Sequence, residues 1–134
     1  MKITVLTPTF NEKDNIRDLY LQIKNIFTEI NYHYEHIVID NASSDGTIPI
    51  LKEIASKDKN FKVIINNKNY GHIRSPFYGL QQCNSDAVIL MASDFQDPVD
   101  LIPRYIKEWE NGNKIVLGEK ITSSENNFKS FFRK

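Results

Sequence analysis

The chain has 134 residues, a length typical of one domain with a sizeable core. Seventeen basic and seventeen acidic residues give a formal net charge of zero, so the composition provides no overall field for nucleic acid and predicts no nucleic-acid partner. The single cysteine, Cys83, excludes an internal disulfide and a cysteine-rich metal site, and it favours a cytoplasmic location. No apolar run reaches the roughly 18 residues needed to cross a bilayer.

Strand-like and helix-like segments alternate along the chain. β-branched and apolar runs predict five strands. These are residues 3–7, 36–39, 61–65, 87–91 and 114–118. Apolar residues at helical spacing predict a helix after each of the first four strands, near residues 16–30, 48–55, 75–83 and 101–109.

Helix-start signals accompany two of these segments. Asp14 or Asn15 is expected to cap the first helix. Asp97, followed by Pro98 and Asp100, predicts an N-cap, a first-turn proline and an acidic first turn for the fourth helix. Under that interpretation Asp97 stabilises the start of the helix, and the polar residues just before it are available to bind a ligand or a metal ion.

The alternation predicts an α/β fold: a Rossmann-like, mostly parallel sheet with helices on both faces, truncated after about the fifth strand. We assign residues 1–120 to this domain. Residues 121–134 are polar and then rich in phenylalanine and basic residues, and they fit no element of the sheet. We interpret them as the start of a further acceptor-binding or membrane-proximal segment.

Polar loops follow the first, second and fourth strands, whose carboxyl ends meet at one edge of a parallel sheet. None contains a glycine-rich dinucleotide or P-loop pattern. A bound phosphate would therefore need another source of positive charge. The oxygens of Asp94 and Gln96 suit a hard divalent cation, Mg²⁺ or Mn²⁺, whose shell is completed by water and a diphosphate.

Four segments, in this order, carry a family resemblance: PTFNE at 8–12, IDNASSDGT at 39–47, NYG at 69–71 through Gly79-Leu80, and DFQDP at 94–98. Together they resemble family 2 glycosyltransferases, which are inverting enzymes of the GT-A fold. The last segment is most similar to the polyprenyl-phosphate branch, which includes dolichyl-phosphate mannosyltransferases and bactoprenol glucosyltransferases.

The resemblance implies a role for each matching residue. In the first nucleotide-binding loop it implies Pro8, Thr9, Asn11 and Glu12. The resemblance implies that Asp40 contacts the base or ribose, and that Asn69, Gly71 and Arg74 lie near the diphosphate. Independently of the resemblance, His72 stands two residues before Arg74 and is a further candidate to face a diphosphate. Asp94 matches the last acid of the D-x-D metal motif and is the implied catalytic residue, and Gln96 is a further metal ligand.

Two positions depart from the family pattern. Ala92 stands where the first acid of D-x-D is expected, which leaves the metal site one ligand fewer. Asn41 stands where a second acid commonly follows Asp40.

The resemblance implies transfer of a sugar from a UDP- or GDP-sugar to an acceptor. A lipid phosphate is largely dianionic at neutral pH and attacks without a base, whereas a sugar hydroxyl needs a carboxylate to take its proton. This favours a polyprenyl phosphate and leaves a glycan hydroxyl as the alternative. A non-catalytic nucleotide-binding module, suggested by Ala92, is the third hypothesis. Association of a full-length protein with the cytoplasmic face of a membrane, and homo-oligomerisation, stay open.

Overall fold

A computed structural model describes residues 1–119 of the chain. In this part, strands and helices alternate. The strands are β1 (Lys2–Thr9), β2 (His33–Asp40), β3 (Phe61–Ile65) and β4 (Ala87–Leu90). The helices are α1 (Ile16–Glu29), α2 (Thr47–Lys57), α3 (Gly71–Gln81) and α4 (Ile102–Glu110), with a 3-10 turn at Val99–Leu101 before α4.

The strands form one sheet in the order β3-β2-β1-β4, and every neighbouring pair is parallel. β1 lies between β2 and β4, with Thr9 opposite Asp40 and Leu6 opposite Leu90. The chain therefore leaves β1 toward one side of the sheet and later returns to its other side. Such a switch point opens a crevice at the carboxyl ends of the strands, where open α/β sheets bind ligands.

Four loops emerge at this carboxyl edge. We call them the first loop (residues 10–15, after β1), the second loop (41–46, after β2), the third loop (66–70, after β3) and the fourth loop (91–98, after β4).

The two faces of the sheet are covered unequally. Buried side chains of α1, α2 and α4 pack on one face in a single cluster with Ile3, Val5 and Val38. On the other face α3 lies over Leu6 and Ile39. Helices on both faces of a parallel sheet confirm the predicted α/β architecture.

The predicted strand at 114–118 is wrong for the described chain. Residues 115–119 have no regular secondary structure, and the side chains of Ile115 and Leu117 are 80% and 85% exposed. Their apolar pattern suits a strand, but a strand requires backbone hydrogen bonds to a neighbour, and the described sheet ends at β4. The predicted segment 121–134 lies outside the described residues, so the division at 120/121 stays a prediction.

The starts or caps of three helices also differ from the sequence-based expectations. α3 begins at Gly71, four residues before the predicted Ser75, and it contains Pro76. Asp97 is not an N-cap, because Pro98 precedes the 3-10 turn and no side chain caps that turn or α4. Asn15 does hold the N-cap position of α1, but its side chain donates to Glu12 Oε2 (2.8 Å) instead of capping the helix.

Within residues 1–119, no helix has both the length and the apolar character needed to span a bilayer.

Candidate functional site

A cleft of about 620 Å³ opens at the carboxyl edge of the sheet, beside the switch point between β1 and β4. Six of the predicted site residues line it: Pro8, Thr9, Glu12, Asn69, Gly71 and Asp94. The remaining lining residues are Phe10, Asn41, His72, Ser75, Pro76, Leu90, Ala92, Ser93 and Asp97. The structure thus brings all four loops to one cavity, the second loop through Asn41 alone.

The second loop holds the first loop in place. Asn11, which has a left-handed backbone (φ 55°), donates its N–H to Ser43 Oγ (2.8 Å), and its Oδ1 accepts the Ser44 N–H (2.9 Å). The N–H of Glu12 donates to Thr47 Oγ1 (2.9 Å). The side chain of Asn11 is therefore used within the scaffold. It does not line the cleft.

Asp45 completes this connection. Its carboxylate accepts the Lys13 N–H (3.1 Å) and both the N–H and the hydroxyl of Thr47 (3.0 and 2.6 Å). Desolvation acts to raise the pKa of Asp45, but the hydrogen bonds from Thr47 and Lys13 outweigh it, and the pKa is lowered. The chain bends at Asp45 and Gly46 just before α2, and Gly46 adopts the positive φ of 104° that this bend requires.

Asp40 is fully buried at the end of β2. One carboxylate oxygen accepts the Ser43 N–H (2.9 Å) and the other accepts the Ser43 hydroxyl (2.5 Å). This is the local turn that aspartate side chains favour. A contact of Asp40 with a base or ribose stays a prediction, because this side chain is outside the set that lines the cleft.

Thr9 presents a polar group without a partner. Its side chain is buried at the end of β1, and its Oγ1 makes no hydrogen bond in the described structure. Buried hydroxyls are normally paired, so an unpaired one needs an explanation. Thr9 also lines the cleft, but its Oγ1 itself has almost no solvent-accessible surface.

The fourth loop carries Asp94 at the cleft. Asp94 is exposed, and its Oδ1 accepts the Gln96 N–H (3.2 Å), while the intervening Phe95 has a positive φ of 58° and packs against the main core. Ser93 donates its hydroxyl to the Pro8 carbonyl oxygen (3.2 Å), which ties this loop to the end of β1. Phe95 and Ser93 therefore fix the position of Asp94.

The side-chain oxygens near Asp94 suit a cation that is held mainly by the phosphates of a bound substrate and by water, with few protein ligands. Within the described residues, no three histidine, cysteine, aspartate or glutamate side chains group closely enough to hold a metal ion by themselves. Ala92 lines the cleft beside Asp94, and Gln96 is exposed and outside the lining set. Mg²⁺ is commonly bound through one or two carboxylates together with substrate phosphates and water. The residues present fit that mode of binding.

His72 and Arg74 lie in different cavities. His72 lines the cleft, whereas Arg74 lines a separate cavity of about 500 Å³ with Tyr70 and Tyr78. Both residues belong to the first turns of α3, so the earlier start of this helix separates them. Of these two basic residues, the histidine is therefore the one at the cleft.

Sequence reasoning missed the role of α3 and of Asp97 in the cleft. Ser75 and Pro76 line the cavity from α3. Starting the helix at Gly71 would have placed residues 71, 72, 75 and 76 on one face by helical spacing. Asp97 lines the cleft and does not cap a helix.

Comparison with known proteins gives a family and a fold. Residues 4–134 match the model of Glycosyl transferase family 2. The bactoprenol glucosyl transferase of Shigella phage SfX is 34% identical over 121 residues, 90% of this chain and 39% of that protein. The dolichol-phosphate mannosyltransferase of Pyrococcus furiosus is 33% identical over 120 residues, 90% of this chain and 33% of that protein.

A solved structure shows the same fold. The mannosyltransferase PcManGT from Pyrobaculum calidifontis, in complex with GDP-Man and Mn²⁺, superposes with a TM-score of 0.57 at 25% identity over 69% of this chain and 27% of that one. The chain thus spans between a third and two fifths of the length of the two relatives. The matched relatives confirm the predicted resemblance to polyprenyl-phosphate glycosyltransferases.

Proposed function

The chain belongs to glycosyl transferase family 2, and from that premise we propose that its cleft binds a nucleotide-diphosphate sugar for transfer to a polyprenyl phosphate with inversion at the anomeric carbon. The observation that carries the proposal is one cavity lined both by Thr9, whose buried hydroxyl has no partner in the described structure, and by Asp94, whose carboxylate the fourth loop positions. In the transfer, an acceptor oxygen attacks the anomeric carbon. The bond from that carbon to the diphosphate breaks, and its electron pair leaves with the nucleoside diphosphate.

The nucleotide would lie along the first and third loops. Pro8, Thr9, Glu12, Asn69 and Gly71 are the predicted binding residues on the cleft wall. Asn11 and Asp40 would act mainly by shaping the first and second loops, since their polar atoms already bond to residues 43 and 44. His72 would approach the diphosphate in place of Arg74.

Asp94 would hold the cation, Mg²⁺ or Mn²⁺, with the Gln96 side-chain oxygen as a second ligand. Such a cation, when bound, stabilises the negative charge that develops on the departing diphosphate. The Mn²⁺ named with the Pyrobaculum relative supports the use of a divalent ion. With Ala92 in place of an acid, Asp94 becomes the main protein anchor of that ion.

The acceptor is proposed as a polyprenyl phosphate because both curated relatives take their names from transfer to or from such lipids. Its phosphate is largely dianionic at neutral pH and requires no base. The alternative is a glycan hydroxyl. One observation favours it: Asp97 lines the cleft and is free of a capping role, so it is a candidate base. A polyprenyl acceptor would bring the whole protein to the cytoplasmic face of a membrane.

Calorimetry with UDP and GDP, each with and without Mn²⁺, tests the donor site. We expect one of the two nucleotides to bind, at least about tenfold more tightly with Mn²⁺, a gain of about 1.4 kcal/mol. Asp94→Asn should abolish the gain from Mn²⁺, because it removes the charge that anchors the ion. Asp100→Asn is the matched control, since Asp100 is exposed on the adjacent 3-10 turn and lies outside the cleft.

Two results would contradict the proposal. Absence of binding for both nucleotides in the presence of Mn²⁺ would refute the donor site. A gain from Mn²⁺ that persists in Asp94→Asn would refute the metal assignment alone.

A further inference from the structure

Asn41, at the start of the second loop, uses both ends of its carboxamide. Its Oδ1 accepts the Tyr70 N–H (2.8 Å) and a proton of Asn66 Nδ2 (3.3 Å). Its Nδ2 donates to Asn69 Oδ1 (2.8 Å) and to the Gly71 carbonyl oxygen (3.3 Å). A buried side chain from the end of β2 thus makes four hydrogen bonds to the third loop and the first residue of α3.

The partners of Asn41 are themselves connected. Asn69 Oδ1 also accepts the Gly71 N–H (2.8 Å). Asn66 donates its side-chain amide to Ser75 Oγ (2.9 Å) and its backbone N–H to the Asp40 carbonyl oxygen (2.9 Å). The third loop is therefore held at both of its ends, and Asn41 lies between them.

We propose that Asn41 is a positioning residue: it fixes the third loop and the start of α3 so that this wall of the cleft fits the nucleotide, and the position requires a carboxamide. The proposal rests on the proposed nucleotide-binding function. Asn69, Gly71, His72 and Ser75 all belong to this wall. Asn69 and Gly71 bond to Asn41 directly, His72 follows Gly71 in the chain, and Ser75 accepts a hydrogen bond from Asn66.

The chemistry of the partners explains why an amide is required. Asn69 Oδ1 and the Gly71 carbonyl are acceptors and need a donor from position 41. A carboxylate there would face two oxygens with no proton between them, which is unfavourable in a buried site. Rotating the Asn69 amide does not repair this, because its Nδ2 would then face the Gly71 N–H, a second donor. The asparagine that replaces an acid at position 41 therefore matches the asparagine at position 69, whose Oδ1 needs the amide donor.

The first test compares Asn41→Asp with Asn69→Asp by amide hydrogen exchange of Tyr70 and Gly71. Asn69 contributes only an acceptor oxygen to these bonds, so a carboxylate at 69 still accepts from Asn41 and Gly71. We expect exchange at Gly71 and Tyr70 to become at least about tenfold faster in Asn41→Asp and to stay within about twofold in Asn69→Asp, a tenfold change corresponding to about 1.4 kcal/mol of local opening.

The second test measures nucleotide binding. With Mn²⁺ present at pH 7.5, we expect Asn41→Asp to weaken the Kd of the preferred nucleotide (UDP or GDP) by about tenfold or more. Asn67→Asp is the matched control: it adds the same charge to the third loop, which Asn41 contacts, but Asn67 uses only its Oδ1, which accepts the Tyr70 hydroxyl (2.6 Å). Its Kd should change by less than about threefold, a purely local charge effect.

A pH profile separates positioning from general damage. Protonation of the new carboxyl in Asn41→Asp restores one donor toward Asn69 or Gly71, and the two facing oxygens raise the pKa of that carboxyl. The ratio of its Kd to that of the wild type should therefore fall between pH 7.5 and pH 5. The same ratio for Asn67→Asp should stay flat.

The outcomes are distinguishable. Unchanged exchange at Tyr70 and Gly71 in Asn41→Asp would overturn the positioning role, as would faster exchange with an unchanged Kd. If Asn41→Asp fails to fold, the same two measurements on Asn41→Ala decide the question. If the wild type binds neither nucleotide, the proposed function fails, and the exchange data alone judge whether Asn41 holds the loop.

Discussion

His36 is a fully buried histidine in the centre of β2. Its Nε2 lies 3.0 Å from Thr7 Oγ1, its ring meets the ring of Phe61 edge-on at 5.0 Å, and its Nδ1 has no partner among the described residues. Burial lowers the pKa of His36 to about 3, against a small opposing effect of Asp58. The imidazole is therefore neutral in the folded protein at neutral pH.

This predicts a loss of stability in acid. Because the pKa is about 3 in the folded state and 6.5 as its ordinary value, the unfolded state binds the extra proton between these pH values. The contribution of His36 is fully present above pH 6.5 and is lost as the pH falls toward 3, by about 3 kcal/mol at pH 4. Urea unfolding from pH 7.5 to pH 4 measures it.

The histidine contribution is isolated by comparing variants. His36→Gln should have a flatter dependence of the unfolding free energy on pH than the wild type. His33→Gln should keep the wild-type slope, since His33 is exposed at the start of the same strand. Equal slopes in all three proteins would show that other groups cause the acid sensitivity.

Single residues also show what sequence alone can reach. The polar residue types after β1, β2 and β4 predicted a cleft at the carboxyl edge, and Thr9, Glu12 and Asp94 do line one cavity. Sequence cannot tell whether a polar side chain faces that cavity or bonds to its neighbours. Asn11 lies in one of these loops, yet it bonds to Ser43 and Ser44.

At the scale of elements, α3 depends on a close approach to the sheet. A Cβ on Gly79 would lie 3.0 Å from Leu6 Cδ1 and 3.1 Å from Ile39 Cγ2, which are buried side chains of the two central strands. A side chain at position 79 would have to displace these methyl groups or move the helix away from the sheet.

We expect Gly79→Val to lower the unfolding free energy by about 1–3 kcal/mol through overpacking. Leu80→Val is the control, because Leu80 is exposed in the next position of the same helix. It has the helix-propensity cost of a β-branched residue, roughly 0.5 kcal/mol, without the steric one. Urea unfolding of both variants gives the difference. A loss no larger for Gly79→Val than for Leu80→Val would contradict the packing model.

Periodicity predicted the element types well and their limits less well. Alternating or continuous apolar segments correctly predicted β1 to β4 and the four helices, because the periodicity of apolar residues follows the type of element. The start of α3 depends instead on Asn69 accepting the Gly71 N–H, a contact that has no periodic signal. The segment 114–118 has strand composition, but pairing is a property of the whole sheet and not of the segment.

At the scale of the whole molecule, the side of the sheet that carries α3 exposes more apolar surface to solvent than the side covered by α1, α2 and α4. Ile73 and Phe77 on α3 are 72% and 60% exposed, and Leu90 on β4 is 60% exposed. Phe27, on the opposite side of the sheet, is buried in the main core. The same substitution at positions 27 and 77 should therefore have very different costs.

Phe77→Ser should change the unfolding free energy by less than about 0.5 kcal/mol and reduce binding of an apolar dye. Phe27→Ser should cost about 3–5 kcal/mol, since it leaves a cavity and buries a hydroxyl. Chemical denaturation and dye fluorescence measure both. Equal costs at the two positions would show that Phe77 is covered in solution.

The pairing of β1 with β4 has a consequence for the order of events during folding. β1 can pair with β2 once the chain to residue 40 has been made, but β4 reaches β1 only after the segment to residue 90 is complete. The cleft needs the fourth loop beside the first, so the binding pocket forms in the last step of sheet assembly, which closes the longest chain segment. A ligand would then act selectively on that late step: it would leave early intermediates unaffected and slow the detachment of β4.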